Sequence, residues 1–376
     1  MSADGVTGLI VPGAAVSGKL ELGKAYVIYK PDSLSALGVT SSADDANAYL
    51  YRCVQQFYAE AGLGAELWVM AVPTSTLPSA MLSVEGSYAK KLLRVAGGRV
   101  RTLVAAAPAT VGATIEDGLD EDVWDALANG QALGEWAATE LYAPVVCLVD
   151  GRGYASTAAT DLKDLGTLDR NRVGICVGEV EGGSLAAVVA GRAASIPVQR
   201  HVGRVADGAL KVSNATVGGV EVGEADVTTL DTKGYITLRT FVGKSGYFVC
   251  DDHLATAVGD DYHSFARRRV VDKAYRIAYG ELLEKLLDEV PVTAAGSMLP
   301  SMAKSWEGDV VAAIALQMTS NGELSSDGSK DQGVTCAIDT ESNVLATGKV
   351  GVDLRVKPHG YAKYIEVSLG FAVASV

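Results

Sequence analysis

The chain has 376 residues, 48% hydrophobic and 20% charged, which excludes a disordered protein and is long enough for two or three domains with sizeable cores. A formal net charge of −13 argues against a general nucleic-acid binder and suits a soluble protein or one with a basic partner. Five cysteines, Cys53, Cys147, Cys176, Cys250 and Cys336, lie far apart without a CxxC pair, so they read as isolated thiols in a reducing compartment, with no zinc or redox motif.

Residues 1–30 are Gly-rich with two short apolar pieces, Leu9-Ile10-Val11 and Ala25-Tyr26-Val27-Ile28, and are expected to form an extended arm ending in a strand. The first residues lack a charged-then-apolar signal pattern, and no run approaches the roughly 18 apolar residues of a membrane span, so a product made in the cytosol is expected. Ser42, Asp44 and Asp45 open a helix to about Ala61 with the stripe Ala46, Leu50, Val54, Phe57 and Tyr58. Strand-like runs at 66–72, 100–106, 144–149 and 173–177 alternate with helix-like runs at 78–95, 121–141, 156–165 and 184–195. Repeated βα units with short loops predict a mostly parallel α/β domain over 31–200.

Gly, Val and Thr dominate 201–250, a β-rich linking segment. An α+β unit is expected over 251–360. It has a long helix at 261–289, opened by Asp260-Asp261 and followed by Pro291, then a helix at 300–318 and a β-rich tail from Gly333. Near the end, Val350, Val352, Leu354 and Val356 alternate with polar or small residues, as do Ile365, Val367, Leu369, Phe371 and Val373, with Pro358-His359-Gly360 between them. Period-two alternation predicts the two strands of a hairpin, the second being a C-terminal β arm over 361–376. A two-stranded hairpin is marginal alone in water. Its apolar face must lie on another sheet, in its own domain or in a neighbouring molecule.

The α/β pattern invites a nucleotide site, but the motifs are incomplete. After Val72 comes Pro-Thr-Ser-Thr-Leu-Pro, with no glycine; Gly151-Arg152-Gly153-Tyr154 lacks a third glycine; and Gly243-Lys244-Ser245 resembles the end of a P-loop whose first glycine would fall at Leu238. The segment Asp251-Asp252-His253 to Asp260-Asp261-Tyr262-His263 has no familiar metal-ligand spacing, and clustered Asp before a helix is usually a cap. Ser87-x-x-Lys90 and Ser301-x-x-Lys304 have no partner motif. No Ser-His-Asp or Cys-His constellation emerges, so no catalysis, cofactor or metal is expected. On the long helix, Arg269, Lys273 and Arg276 share one face, with acidic residues toward the C-terminal end, an order that opposes the helix dipole. That face is either a solvated surface or a basic strip for an acidic partner.

In order along the chain, several segments resemble contractile tail sheath proteins of phages and phage-like injection systems. The run 57–72 carries an aromatic residue, then Gly62-Leu63-Gly64-Ala65-Glu66-Leu67, then a strand. Similar pieces are 97–103, the exit segment 191–205, the strand pair at 235–249, Asp261-Tyr262 with 269–277, and the tail 352–373. The exit segment lacks the Pro-rich stretch of large phage sheaths, which leaves phage tail, tailocin and other injection machine open. The resemblance implies a mostly parallel α/β sheath domain, an α+β C-terminal domain and extended terminal β arms. It implies a subunit that stacks as hexameric rings around an inner tube and contracts to drive the tube through a target envelope. Its partners would be copies of itself, the inner tube protein, and baseplate and tail terminator proteins, with no nucleic acid and no direct membrane insertion. It would assemble in the host cytoplasm and reside in a virion tail or phage-like particle. Under this reading Arg269, Lys273 and Arg276 are expected to contact the inner tube, and Ile365, Val367, Leu369, Phe371 and Val373 to form an inter-subunit arm. A nucleotide-dependent α/β enzyme with an unrecognised site is the alternative.

Overall fold

The short run Leu9-Ile10-Val11 lies in β1 (Thr7–Pro12), every residue of which is buried. The computed structural model, which describes residues 3–45, 47–328, 330–363 and 365–366, places this strand inside a six-stranded sheet. The others are β2 (Ala25–Ile28), β3 (Leu67–Val72), β4 (Thr102–Ala105), β5 (Val146–Asp150) and β6 (Val173–Cys176). Their order is β2-β3-β1-β4-β5-β6, parallel throughout except for β2, which pairs antiparallel with β3. Leu9 is in register with Val69 on one side and Val104 on the other. Residues 7–12 are therefore a core strand, which corrects the expectation of an N-terminal arm over 1–30. A strand covered on both faces shows no alternation. Its only signal is an apolar run, and this run is short and set among glycines.

The sheet is clad by α1 (Leu50–Ala61), α2 (Pro78–Leu82), α3 (Tyr88–Val95), α4 (Asp122–Glu140) and α5 (Leu185–Ser195), with α1 packed on α5 and α2 and α3 packed on α4. Helix α1 starts later than Asp44, yet Asp44 serves it. Its carboxylate accepts from the Tyr51 and Arg52 N–H groups at 2.9 and 2.8 Å, two donors that have no partner within the helix. The helix-like run 78–95 breaks between α2 and α3 around Gly86, and 156–165 forms only 3₁₀ turns at Ser156–Asp161 and Leu165–Thr167.

The linking segment ends in a hairpin, β7 (Leu238–Phe241) and β8 (Lys244–Val249). Beyond it, α6 (Phe265–Leu283) and α7 (Pro300–Gln317) lie on an antiparallel pair, β9 (Val334–Ile338) and β10 (Val352–Val356). Val270, Ala274 and Ala278 of α6 meet Val310 and Ile314 of α7 and Val334 of β9 in a second core. Asp252 opens α6: its carboxylate accepts from Ala266 N–H and Ser264 Oγ, both at 2.8 Å, so the acidic cluster does act as a cap. The helix ends at Leu283, and Glu284, Asp288 and Glu289 lie beyond it. Most of the charge order that opposed the dipole is therefore no property of the helix.

Strand β10 pairs backward with β9, in the register Cys336 to Leu354, and among the described residues no strand follows Pro358-His359-Gly360. Alternation identifies a strand but not its partner, and β9 was already anchored on α7. Ile365 is 80% exposed, while Val367, Leu369, Phe371 and Val373 lie outside the described residues.

Candidate functional site

Parallel α/β sheets bind cofactors in the crevice beyond the carboxyl ends of their strands. Here that crevice is about 470 Å³ and is lined by residues following β4, β5 and β6, among them Pro108, Asp150, Arg152 and Gly178. A phosphate there would seek the N-terminus of α5. Asp150 has taken that place: its Oδ1 accepts from Ala186 N–H at 3.0 Å, and its Oδ2 accepts from Tyr49 OH at 3.4 Å. Burial pushes the Asp150 carboxyl up to about 6, despite hydrogen bonds from Ser184, Ala186 and Tyr49 that favour the anion. Arg152 is turned into ion pairs with Asp120 at 3.0 Å and Asp122 at 3.2 Å. Gly151 serves close packing, since a Cβ there would lie 2.6 Å from Val177. The two groups that would greet a phosphate, the α5 N-terminus and Arg152, are both engaged by carboxylates of the chain. The lysines of the Ser-x-x-Lys runs are used elsewhere, Lys90 over the Trp136 ring at 4.9 Å and Lys304 on Glu307 at 2.5 Å.

Arg269, Lys273 and Arg276 do share a face of α6, as their spacing requires, but that face is turned inward. Arg269 is 5% exposed, and its Nη2 donates to the carbonyls of Ala193 at 2.6 Å and Ile196 at 3.2 Å. These carbonyls end α5, where a cation answers both the unpaired oxygens and the helix dipole. Lys273 Nζ lies 2.9 Å from Asp4 and 2.7 Å from Glu323, and Arg276 Nη2 lies 2.8 Å from Asp4. The expectation that these three residues meet an inner tube is corrected: they join the C-terminal helices to the α/β domain. No sequence signal marks the join, because Asp4 stands 272 positions from Arg276.

The C-terminal segment crosses back over the linking segment. His359 Nε2 is 3.1 Å from the Gly322 carbonyl, Tyr361 OH donates to the Gln199 carbonyl at 2.6 Å, and Lys363 Nζ donates to Asp251 Oδ2 at 2.6 Å. The Tyr361 ring meets His201 edge to face, centroids 5.3 Å apart. These residues line a groove of about 900 Å³ with Arg239 and Phe241 of β7, and Ile365 continues along it. The β7–β8 sheet has only two strands among the described residues, and Val242 at its tip is fully exposed. His201, Asp231, Asp251, Asp252 and His253 converge beside this groove. The sequence exposed the aspartates but had set them beside His263 instead of His201 and Asp231.

This arrangement of domains is the contractile tail sheath fold. A chain in the cryo-EM structure of the anti-feeding prophage baseplate, 6-fold symmetrised, superposes with a TM-score of 0.67 at 15% identity, covering 99% of this chain and 94% of that one. A chain of the PVC sheath complex of an extracellular contractile injection system, in its contracted state, gives 0.64 at 16% identity, covering 98% and 92%. The crystal structure of a sheath tail protein from Desulfitobacterium hafniense gives 0.51 at 10% identity, covering 90% of each chain. No curated protein matches in sequence. The chain belongs to the DUF2586 family, whose N-terminal domain matches residues 1–253 and whose C-terminal domain matches residues 261–375.

Proposed function

We propose that this chain is the structural subunit of a contractile tail sheath, which polymerises as stacked hexameric rings around an inner tube and contracts to drive the tube through a target envelope. The observation that carries the reading is the near end-to-end match, over both domains, with chains of an injection-system sheath and of a 6-fold symmetrised baseplate. The engaged crevice points the same way, since carboxylates occupy the phosphate-binding positions that a nucleotide-dependent enzyme would use. The assembly would comprise copies of the chain, an inner tube protein, and baseplate and terminator proteins, in a phage-like particle put together in the host cytoplasm.

The residues from Ile365 onward act in this reading as the inter-subunit arm. Ile365 lies in the groove beside β7, and the adjoining sheet has two strands among the described residues, to which an arm can add a strand. Electron microscopy of the chain co-expressed with its tube protein tests the proposal. Long helical tubes of sheath diameter are expected; a chain that stays monomeric and turns over ATP or NAD would overturn it.

A further inference from the structure

We propose that the loop just beyond α6, with Leu286 and Leu287 at its tip, docks in a tyrosine-lined groove of a second copy of the chain. This contact rests on the sheath reading and gives that assembly one of its joints. The loop is apolar and acidic at once. Leu286 is 69% and Leu287 96% exposed, Leu283 is exposed beside them, and none of the three belongs to a core. Leu287 has a left-handed backbone, φ 65°, which a bulky residue adopts only when its surroundings impose it. Here they do. The Leu286 N–H donates to the Leu283 carbonyl at 3.1 Å, the Asp288 N–H to the Lys285 carbonyl at 3.2 Å, and Lys285 pairs with Asp309 of α7 at 2.9 Å. The fold thus fixes an apolar tip in water, the mark of an interaction site. Asp288 and Glu289 follow it directly, both exposed and without an ion pair among the described residues.

The groove has the opposite charge. Tyr142, just past α4, stacks on Tyr279 of α6 and Tyr279 on Tyr275, with centroids 4.9 and 6.5 Å apart. Tyr142 is exposed and also left-handed, φ 51°. Tyr142 and Tyr279 line a depression of about 360 Å³ with Leu141 and Arg94. Arg276 lines it too, but is held by Asp4. Lys90 lies one turn before Arg94 on α3, and both cations stand over the Trp136 ring, at 4.9 and 5.4 Å. Like charges at that spacing repel each other. Among the described residues neither has a carboxylate within ion-pair distance, in a chain whose net charge is −13.

Complementarity names the occupant. A groove of tyrosines edged by unpaired cations fits an apolar segment edged by acids, and tyrosine and arginine are the residues on which interfaces concentrate their binding energy. The chain carries such a segment, and that segment does not fill the groove of its own chain, since its leucines stand in solvent. In a second copy, Leu286 and Leu287 meet the tyrosines while Asp288 and Glu289 meet Lys90 and Arg94. Loop and groove are different surfaces, so the contact repeats from copy to copy, as a sheath requires.

The test is a charge swap in the full-length chain co-expressed with its tube protein, with assembly read by sedimentation and electron microscopy. The loop variant carries Asp288→Lys and Glu289→Lys, and the groove variant carries Lys90→Glu and Arg94→Glu. Each alone should lose more than about tenfold of the sedimenting fraction, because like charges then face each other. Co-expression of the two variants should restore assembly, since every loop again finds a groove of opposite charge. A single chain carrying all four substitutions should assemble as well. A parent that assembles while both variants assemble equally well overturns this contact alone, whereas a parent that stays monomeric overturns the contact and the sheath reading together. Loss that neither co-expression nor the four-fold variant restores shows that loop and groove do not meet, and also overturns the proposal. Thermal melts establish that each variant is folded. Should the groove variant unfold, a chain with Leu286→Ser and Leu287→Ser, altered only in exposed side chains, decides: it must fail to assemble.

Discussion

Reversing the charge of Arg269, Lys273 and Arg276 should unfold the protein. Arg269 alone makes two charge-assisted hydrogen bonds, to the Ala193 and Ile196 carbonyls. Each is worth about 1.5–3 kcal/mol. An apolar replacement recovers part of that, because burying a guanidinium is itself unfavourable. Arg269→Leu should therefore cost about 2–4 kcal/mol, and Arg269→Lys, which keeps the charge but loses the planar fork, about half as much. Lys273 and Arg276 share Asp4, and Lys273 also holds Glu323. Removing one partner of a buried pair costs about 3–5 kcal/mol, and these pairs, 14–15% exposed, should cost somewhat less. A natural domain has about 5–15 kcal/mol in hand, so the triple Glu variant has no margin left. Urea titrations followed by tryptophan fluorescence and far-ultraviolet circular dichroism read the effect. A triple variant that melts at the parent's urea midpoint would refute the reasoning, and would return this face to the surface as a candidate tube contact.

Asp150→Asn should stabilise the protein at neutral pH. The folded pKa of about 6 lies above the ordinary 3.8, so the native state binds the extra proton and the parent loses stability as pH rises from about 4 to about 6. The variant escapes that loss, worth up to about 3 kcal/mol at pH 7, and the gap should close below pH 4; a variant equally destabilised at pH 5 and pH 7 would contradict this. A chain ending at Gly360 loses the Tyr361 hydrogen bond and the Lys363 ion pair, about 1–2 kcal/mol together, so it should melt nearly as the parent but form no tubes. Unfolding on truncation would place the terminal strand in the chain's own core, and persistent tubes would show the arm to be dispensable. Millimolar ATP or NAD should leave the thermal midpoint unchanged; a rise abolished by Arg152→Ala would reopen the enzyme reading.

The sequence was most legible where burial repeats along the chain. Runs such as Val146-Cys147-Leu148-Val149 announce a strand covered on both faces, and short loops between such runs force parallel crossovers. The same rule hid β1, because three apolar residues among glycines carry too little of it. Pairing partners were illegible for another reason. Val352, Leu354 and Val356 required a neighbour, but alternation is symmetric with respect to which strand supplies it. The basic face of α6 misled most. Spacing shows that three cations share a face and says nothing of what faces them. The answers, two carbonyls at the end of α5 and the carboxylates of Asp4 and Glu323, lie in other elements of the fold.

If the chain works as a contractile subunit, its contacts must divide into those that persist and those that exchange. The seam around Arg269 is of the first kind: buried, charge-assisted, and tied to the end of a core helix. The C-terminal segment is of the second kind, held at Gln199, Gly322 and Asp251 by a few polar contacts in an open groove. Breaking the seam approaches the stability of the whole fold, whereas releasing the contacts of Tyr361 and Lys363 costs about 1–2 kcal/mol, a difference that a strand paired in a neighbouring copy can supply. Contacts that weak at Tyr361 and Lys363 can be released without disturbing either core, so under the sheath reading a lattice rearrangement can move rigid bodies while the arms keep them joined.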